Sequence, residues 1–313
     1  VKITIADSHK KFDNIEAYKK AFDNVSFVNH AYEATSDTEI LSISHSKIGI
    51  ATLDRWPNLK LITVRGSGCD SVNISECTSR GMWVTNTTTP RASRSVAEFT
   101  IMQILNGVRR KSVIDNYVSK GARSFKNMPL AIGELLYGKT VAIVGYGMIG
   151  KLVGEMLDSF FVKVNVIHTT GVTSVNELKG VEHADVVTIH CPLHNNLKWL
   201  FNKDFFNMCK KGVVFVNTAR GKLVNSVDLL DALNKKQVGY AALDVLSGDE
   251  DTVEGIKKLN YTDITPHVAF YTNEHRISIT DQNIKNIQHF ITNKRPIWTI
   301  NKVAVKGHQT TIL

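Results

Sequence analysis

Short apolar runs alternate with amphipathic stretches along most of this chain. KITIAD is β-rich and precedes the helical NIEAYKKAF; EILSIS, the helix-like GIATLDRW and LKLITVRG follow, the last running into GSG, and then come the helix-like NISECTSRG and the strand WVTN. Strands alternating with helices at these spacings predict right-handed βαβ units and a parallel sheet. From Arg94, RSVAEFTIMQILNGVRRK carries apolar residues at helical spacing and predicts one long helix connecting two bodies. A second series starts near Gly138 with TVAIV, a helix through Leu157, VKVNVI, DVVTIH, VVFVN, the helix SVDLLDALNKK, GYAALDV and DITPH. Ser174 and Glu177 fit a capping box ahead of a short helix. A final helix is expected from about Asn273 to Asn293, with Ile277, Ile279, Ile284, Ile287 and Phe290 as its apolar positions. The pattern predicts two doubly wound α/β domains, the last helix returning to pack on the first.

Composition narrows the function classes. With 313 residues, 43% hydrophobic and 21% charged, the chain has the length for about two domains and the make-up of a globular protein. Lys and Arg outnumber Asp and Glu by 38 to 29, a formal charge of +9. The basic residues are dispersed, often in pairs such as Lys19-Lys20, Arg109-Arg110 and Lys210-Lys211. No arginine-rich arm or basic helical face interleaved with aromatics appears, so a solvated surface is expected rather than a nucleic-acid partner. No window approaches the roughly 18 apolar residues of a membrane span, and VKITIADSHKKF lacks the layout of a signal peptide. Cys69, Cys77, Cys191 and Cys209 are too few and too scattered for a disulfide framework or a zinc cage. These features predict a reduced, soluble, cytoplasmic protein without a metal.

GYGMIG is the first motif with chemistry. Gly145, Gly147 and Gly150, with Met148 and Ile149 between them, form G-x-G-x-x-G directly after a strand and before a helix. The glycines permit a tight turn and close approach to a pyrophosphate, which the helix N-terminus then holds. An acid about 20 residues on would accept the ribose hydroxyls and repel a 2′-phosphate. Here VKVNVI is followed by His168-Thr169-Thr170-Gly171, with no carboxylate and no arginine. NAD or NADP is therefore expected, with a slight lean to NADP tolerance.

The second constellation lies further on. Arg220 follows the strand of VVFVNTARG, Asp244 ends GYAALDV with Asp249 and Glu250 just beyond, and His267 stands in TPHVAFYT. Arginine clamps a carboxylate with a planar fork, and histidine supplies a proton near neutral pH. Arginine, carboxylate and histidine at successive strand ends are the parts needed to reduce a 2-keto acid.

RGSGCDSVN, RSVAEFTIMQIL, GYGMIG, HCPL, FVNTARGKLVNSVDLLDAL, ALDV and TPHVAFYT together resemble the D-isomer-specific 2-hydroxyacid dehydrogenase family over nearly the whole chain. TPHVAFYT is similar to the D-lactate dehydrogenase and 2-keto acid reductase branch. The resemblance implies a Rossmann cofactor domain inserted into a flavodoxin-like substrate domain, here 1–92 and 271–313 around 93–270. It implies that Arg220 binds the substrate carboxylate and that His267 is the acid in reduction and the base in reverse. The family's carboxylate partner, a Glu five residues after the Asp of LDV, falls on Asp249, one methylene shorter, with Glu250 adjacent. That partner is expected to raise the His267 pKa. The resemblance further places Asp244 on the nicotinamide carboxamide and Thr218 and Ala219 against the cofactor. It sets Cys191 and Pro192 on the adenosine side, Ser67 and Gly68 in the loop binding the substrate carboxylate, and Arg91 at the border of the substrate pocket. The implied activity is reduction of a small 2-keto acid to the D-2-hydroxy acid by a homodimer. A phosphoglycerate/hydroxypyruvate-type reductase and a dinucleotide-sensing corepressor are the alternatives.

Overall fold

The computed structural model describes residues 1–7, 14–128, 131–193 and 195–303. The chain divides into two compact units, Val1–Ala92 with Thr272–Leu313, and Ser93–Tyr271. The first unit opens with β1 (Ile3–Ile5), α1 (Ile15–Ala21), β2 (Val25–Phe27), β3 (Ile40–Ile43), α2 (Ile50–Leu53), β4 (Leu61–Val64), α3 (Ile74–Ser79) and β5 (Trp83–Asn86). The strands are all parallel in the order β2-β1-β3-β4-β5. Asn14 and Asn73 start α1 and α3 by accepting the N–H three residues on, at 3.2 and 3.1 Å. Edge strand β2, only half-buried over three residues, has too weak an apolar run to stand out in the sequence.

Helix α4 (Pro90–Val108) runs from the first unit into the second. It begins four residues before Arg94, because Thr89 Oγ1 accepts the Ala92 N–H at 3.0 Å and Pro90 fits a first helical turn. It also ends before the Arg109-Arg110-Lys111 run. Glu134 N–H takes the Val108 carbonyl (2.8 Å), Arg110 turns left-handed (φ 55°), and α5 (Lys111–Ser119) starts afresh. The expected single helix is therefore two.

The second unit continues with β6 (Thr140–Val144), α6 (Met148–Leu157), β7 (Lys163–Ile167), β8 (Val186–Ile189), α7 (Lys203–Met208), β9 (Val213–Asn217), α8 (Ser226–Asn234), β10 (Val238–Leu243), α9 (Glu250–Lys257) and β11 (Thr262–Ile264). Its strands, all parallel, lie in the order β11-β10-β9-β8-β6-β7. Alternation splits the sheet between two cores. Ala142, Val144, Val187, Ile189, Phe215 and Leu243 face one cluster with Phe201, Phe205 and Leu229; Val141, Ile143, Val186, Val214 and Ala242 face another with Ile104, Val153 and Leu157. The Ser174–Glu177 capping box is present at a 3₁₀ turn.

Helix α10 (Asn273–Asn293) completes the first unit. Ile287 and Phe290 join Ile3, Ile5, Tyr18, Ile40, Leu61 and Trp83 on one face of that sheet, while Leu41, Ile43, Leu53, Ile62 and Cys77 fill the other. Asn283 Nδ2 donates to Tyr18 OH and Ser42 Oγ, both at 2.8 Å. Beyond α10, Asn301 accepts the Val84 N–H (2.8 Å) and donates to Thr78 Oγ1 and Met82 O (2.9 Å each), while Ile300 N–H bonds Val84 O. The returning segment thus covers the edge of β5. Both domains are parallel-sheet α/β, a Rossmann-type unit inserted into a flavodoxin-like one. Among the described residues no helix is long and apolar enough to cross a membrane.

Asn301→Ala removes three hydrogen bonds and leaves buried partners at Val84 and Met82. It is expected to cost about 1–3 kcal/mol in urea unfolding. A change below roughly 0.5 kcal/mol, the usual scale for an unimportant surface site, would show that the strap does not hold the edge.

Candidate active site

In an open parallel sheet, ligands bind beyond the strand C-termini where the strand order reverses. In the second unit that point lies between β6, whose chain goes next to β7, and β8 on its other side. Gly145 follows β6 there with φ 93°, and a β-carbon on it would stand 2.6 Å from Cys191 N and 2.7 Å from His190 C. A side chain on Gly150 would strike the Gly145 carbonyl oxygen. Gly147 differs: it caps α6, and a β-carbon there would meet nothing within 4 Å. Two glycines therefore serve the fold, and the third leaves open space at a helix N-terminus, a place suited to an anionic diphosphate. Met148 and Ile149 form the first turn of α6, with Met148 exposed and its Sδ accepting from Ser93 Oγ (3.0 Å).

His190 follows β8; its ring bonds Thr188 Oγ1 at 2.9 Å, and burial pushes its pKa down to about 3, so it is neutral beside the glycine loop. Cys191 is buried with its thiol pushed up to about 12, and Pro192 is exposed. At the end of β7, exposed His168 meets Tyr146 edge-on (6.3 Å between ring centroids). Thr169 and Thr170 form the turn after it, Thr169 O accepting the Val172 N–H at 3.3 Å.

Arg220 and His267 belong to loops held by one chain of hydrogen bonds. Buried Asn217, the last residue of β9, accepts the Ala219 N–H (2.9 Å) and donates to the Arg220 carbonyl (3.0 Å). The Arg220 guanidinium donates to Ala219 O at 2.8 Å, and Thr218 is tied to α4 by its hydroxyl bond with Thr100 (2.9 Å). Asn217 O in turn accepts the Asp244 N–H at 3.0 Å. The Asp244 carboxylate, 1% exposed, accepts Thr265 Oγ1 (2.6 Å), Val268 N–H (2.8 Å) and Ala269 N–H (3.0 Å). Asp244 O also takes the His267 N–H at 2.8 Å. His267 is held between these anchors with φ 57°, a left-handed conformation uncommon for a non-glycine residue.

The structure does not bring Asp249 or Glu250 to the imidazole. Asp249 is the N-cap of α9: its carboxylate accepts the Thr252 N–H (2.9 Å) and Thr252 Oγ1 (2.8 Å), bonds that hold its pKa below the usual carboxylate range. Glu250 is the exposed first residue of that helix. Asp244, whose carboxylate bonds run to the backbone and threonine beside His267 and not to its ring, is the acid whose charge is felt there. Crowding of the ring, with Phe270 edge-on at 5.6 Å, lowers the His267 pKa; Asp244 raises it and Arg220 lowers it, with a net fall. This reverses the expected upward shift: His267 is exposed by area, yet the protein packed about its ring withholds enough water to outweigh the pull of Asp244.

The remaining sequence candidates lie in the first unit. Ser67 and Gly68 follow β4, and Ser67 O accepts from Asn86 Nδ2 at 2.7 Å. Arg91 is exposed in the first turn of α4. Asn217 and Thr265 were missed by sequence reasoning, although both lie inside the motifs NTARG and TPH. The cap of α9 was legible too: Asp249 followed by Glu250, Asp251 and Thr252 is a helix-start pattern.

A family model for the NAD-binding domain of D-isomer specific 2-hydroxyacid dehydrogenases matches residues 101–269. The chain belongs to that family. It is thus an oxidoreductase of the NAD(P)-dependent D-2-hydroxyacid dehydrogenases. It is 31% identical over 281 residues to a glyoxylate reductase of Thermofilum pendens, covering 85% of this chain and 82% of the relative. To a D-specific alpha-keto acid dehydrogenase of Enterococcus faecium it is 30% identical, covering 74% and 76%. Its fold matches an NADPH-dependent glyoxylate/hydroxypyruvate reductase of Sinorhizobium meliloti, in complex with NADP and malonate, with a TM-score of 0.83 at 20% identity over 97% and 99% of the chains.

Within this dehydrogenase the glycines separate by experiment. Gly147→Ala is expected to keep the melting temperature while weakening NADH and NADPH binding on the order of tenfold. Gly150→Ala, overpacked by about 1–3 kcal/mol, lowers the melting temperature itself. Unchanged coenzyme affinity in Gly147→Ala would place the diphosphate elsewhere.

Proposed function

We propose that this dehydrogenase reduces a small 2-keto acid to the D-2-hydroxy acid. The observation that carries the reading is the relay Arg220–Asn217–Asp244–His267, which ties the cation after β9 and the imidazole after β11 to the ends of the adjacent strands β9 and β10. The nicotinamide coenzyme, when bound, supplies the hydride. Arg220 binds the substrate carboxylate through its guanidinium; in the first unit, Ser67, Gly68 and Arg91 are the residues assigned to substrate binding. His267 carries the proton that the developing alkoxide takes, and removes it in the reverse direction. Asp244, rather than Asp249 or Glu250, orients the imidazole and favours its charged form.

Gly145, Gly147 and Gly150 with the first turn of α6 hold the diphosphate. Cys191, Pro192, Thr218 and Ala219 line the cofactor side. The segment His168–Gly171 carries no acidic side chain, which supports use of NADPH as well as NADH. The solved Sinorhizobium reductase with NADP shares this fold. The free Cys77, Cys191 and Cys209, buried and pushed up to about 11, 12 and 12, fit a reducing, cytoplasmic setting.

We also assign a homodimer. Phe125, Ile132, Leu135, Tyr137 and Phe161 are each at least 70% exposed in the second unit. Large apolar side chains left this open on one unit support an interface there. Leu135→Glu with Tyr137→Glu is expected to halve the mass in light scattering; a dimer that survives places the contact elsewhere.

The deciding assay follows absorbance of NADH and NADPH with pyruvate, glyoxylate, hydroxypyruvate, 2-ketoisocaproate and phenylpyruvate. His267→Gln is expected to lower kcat/KM by roughly 10²–10⁴ with coenzyme affinity unchanged. An active His267→Gln would remove the imidazole from the mechanism.

Reduction needs the protonated ring, so kcat/KM falls as pH rises through the His267 pKa, below 6.5, while oxidation gains over the same window. Asp244→Asn moves both midpoints lower still. Asp249→Asn, an equally good cap, leaves them in place. A shift in Asp249→Asn alone would return the role to Asp249.

A further inference from the structure

The second unit has a cleft on the side of its sheet opposite the glycine loop. Its volume is about 200 Å³, and it opens at the N-terminal ends of β6, β8, β9 and β10. Arg110, Lys139, Lys210 and Lys211 line it beside two acids, Glu134 and Asp185. Four of these six charges neutralise one another in an alternating row. Glu134 pairs with Lys139; Asp185 accepts Lys210 Nζ at 2.6 Å and lies 3.9 Å from Lys139 Nζ, and it also takes the Thr140 N–H at 2.9 Å.

Arg110 and Lys211 stand outside that row as two further cations. The left-handed backbone of Arg110 sets it at the junction of α4 and α5. Lys211 precedes Gly212, whose φ of 82° turns the chain into β9. Glycines thin the walls. Gly239 sits at a register shift between β9 and β10, where a β-carbon would come within 2.5 Å of Gly212 O, and a β-carbon on Gly212 would meet nothing within 4 Å.

We propose that this cleft binds a doubly charged tetrahedral oxyanion, free phosphate or a small phosphate ester, between Arg110 and Lys211. A guanidinium matches two oxygens of such an anion with a planar fork, and an ammonium adds a point charge. The neighbouring row holds Lys139 and Lys210 in place without cancelling the two outer cations. This site is separate from the coenzyme loop and does not depend on the substrate assigned above.

The test is calorimetric titration at pH 8 of the protein saturated with NAD⁺, so that the glycine loop is filled. Inorganic phosphate is one titrant and glycerol 3-phosphate the other; tighter binding of either identifies the source. Arg110→Gln with Lys211→Gln is expected to weaken the titration at least tenfold, as loss of a charged hydrogen bond does. Lys19→Gln with Lys20→Gln, the same charge change in the other unit, leaves it unaltered. Glu134→Gln should act in the opposite direction and tighten binding, because it frees Lys139 for the anion. Melting curves without phosphate show whether each variant is folded. Equal weakening in both lysine-containing pairs, or no saturable heat with either titrant, overturns the site.

Discussion

The Asp244 carboxylate is sealed from solvent and satisfied by Thr265, Val268 and Ala269, and the geometry of the candidate site follows from that arrangement. A buried carboxylate is costly unless its oxygens are paired, so the segment that pairs them cannot drift without exposing the charge to an apolar surround. His267 lies in the middle of that segment. Its left-handed backbone persists because the bonds on either side over-determine it. Through Asn217 the same framework reaches Arg220, so both groups depend on the ends of two adjacent buried strands.

Electrostatically, the site works by restraint. The protein is basic overall, yet the ring of His267, exposed by area, is governed locally by partial loss of water, then by Asp244 and Arg220 with opposite signs. The lowered pKa leaves the ring a better proton donor once charged, and a weaker base in the reverse direction. His190 is a different case: burial leaves it uncharged under all ordinary conditions, so it serves the packing and hydrogen bonding of the β8 end.

Much of this was legible in the chain itself. Buried parallel strands read as short apolar runs, so β1, β3 to β6 and β8 to β10 stand out, as does the strand–glycine–helix junction at Gly145. Edge strands β7 and β11 were legible too, from VKVNVI and DITPH, whereas edge β2, three residues with a serine in the middle, was not. The break at Arg110 was hidden because apolar spacing continues across it; a carbonyl cap from Glu134, far along the sequence, ends the helix. At the site, residue types and order located Arg220 and His267, whereas pairing distances could not be read. Asp249 matched a family position by counting, but local capping by Thr252 takes up its carboxylate. Asn217 and Thr265 act through backbone and loop anchoring, which leaves little trace in a linear pattern.

The covered edge of β5 has a bearing on how the protein is made. A chain emerging from a ribosome presents its N-terminal residues first. The sheet β2-β1-β3-β4-β5 is assembled from them, but Ile287, Phe290 and Asn301 come after the whole of the second unit. The second unit is continuous in sequence and can close its cores unaided. The first must wait, with one apolar face and one strand edge open, until a distant segment returns, and bringing those ends together carries the entropy of a long loop. During synthesis, then, the earlier-made half is the later-finished one, and the vulnerable surface in that interval is the face that α10 eventually seals.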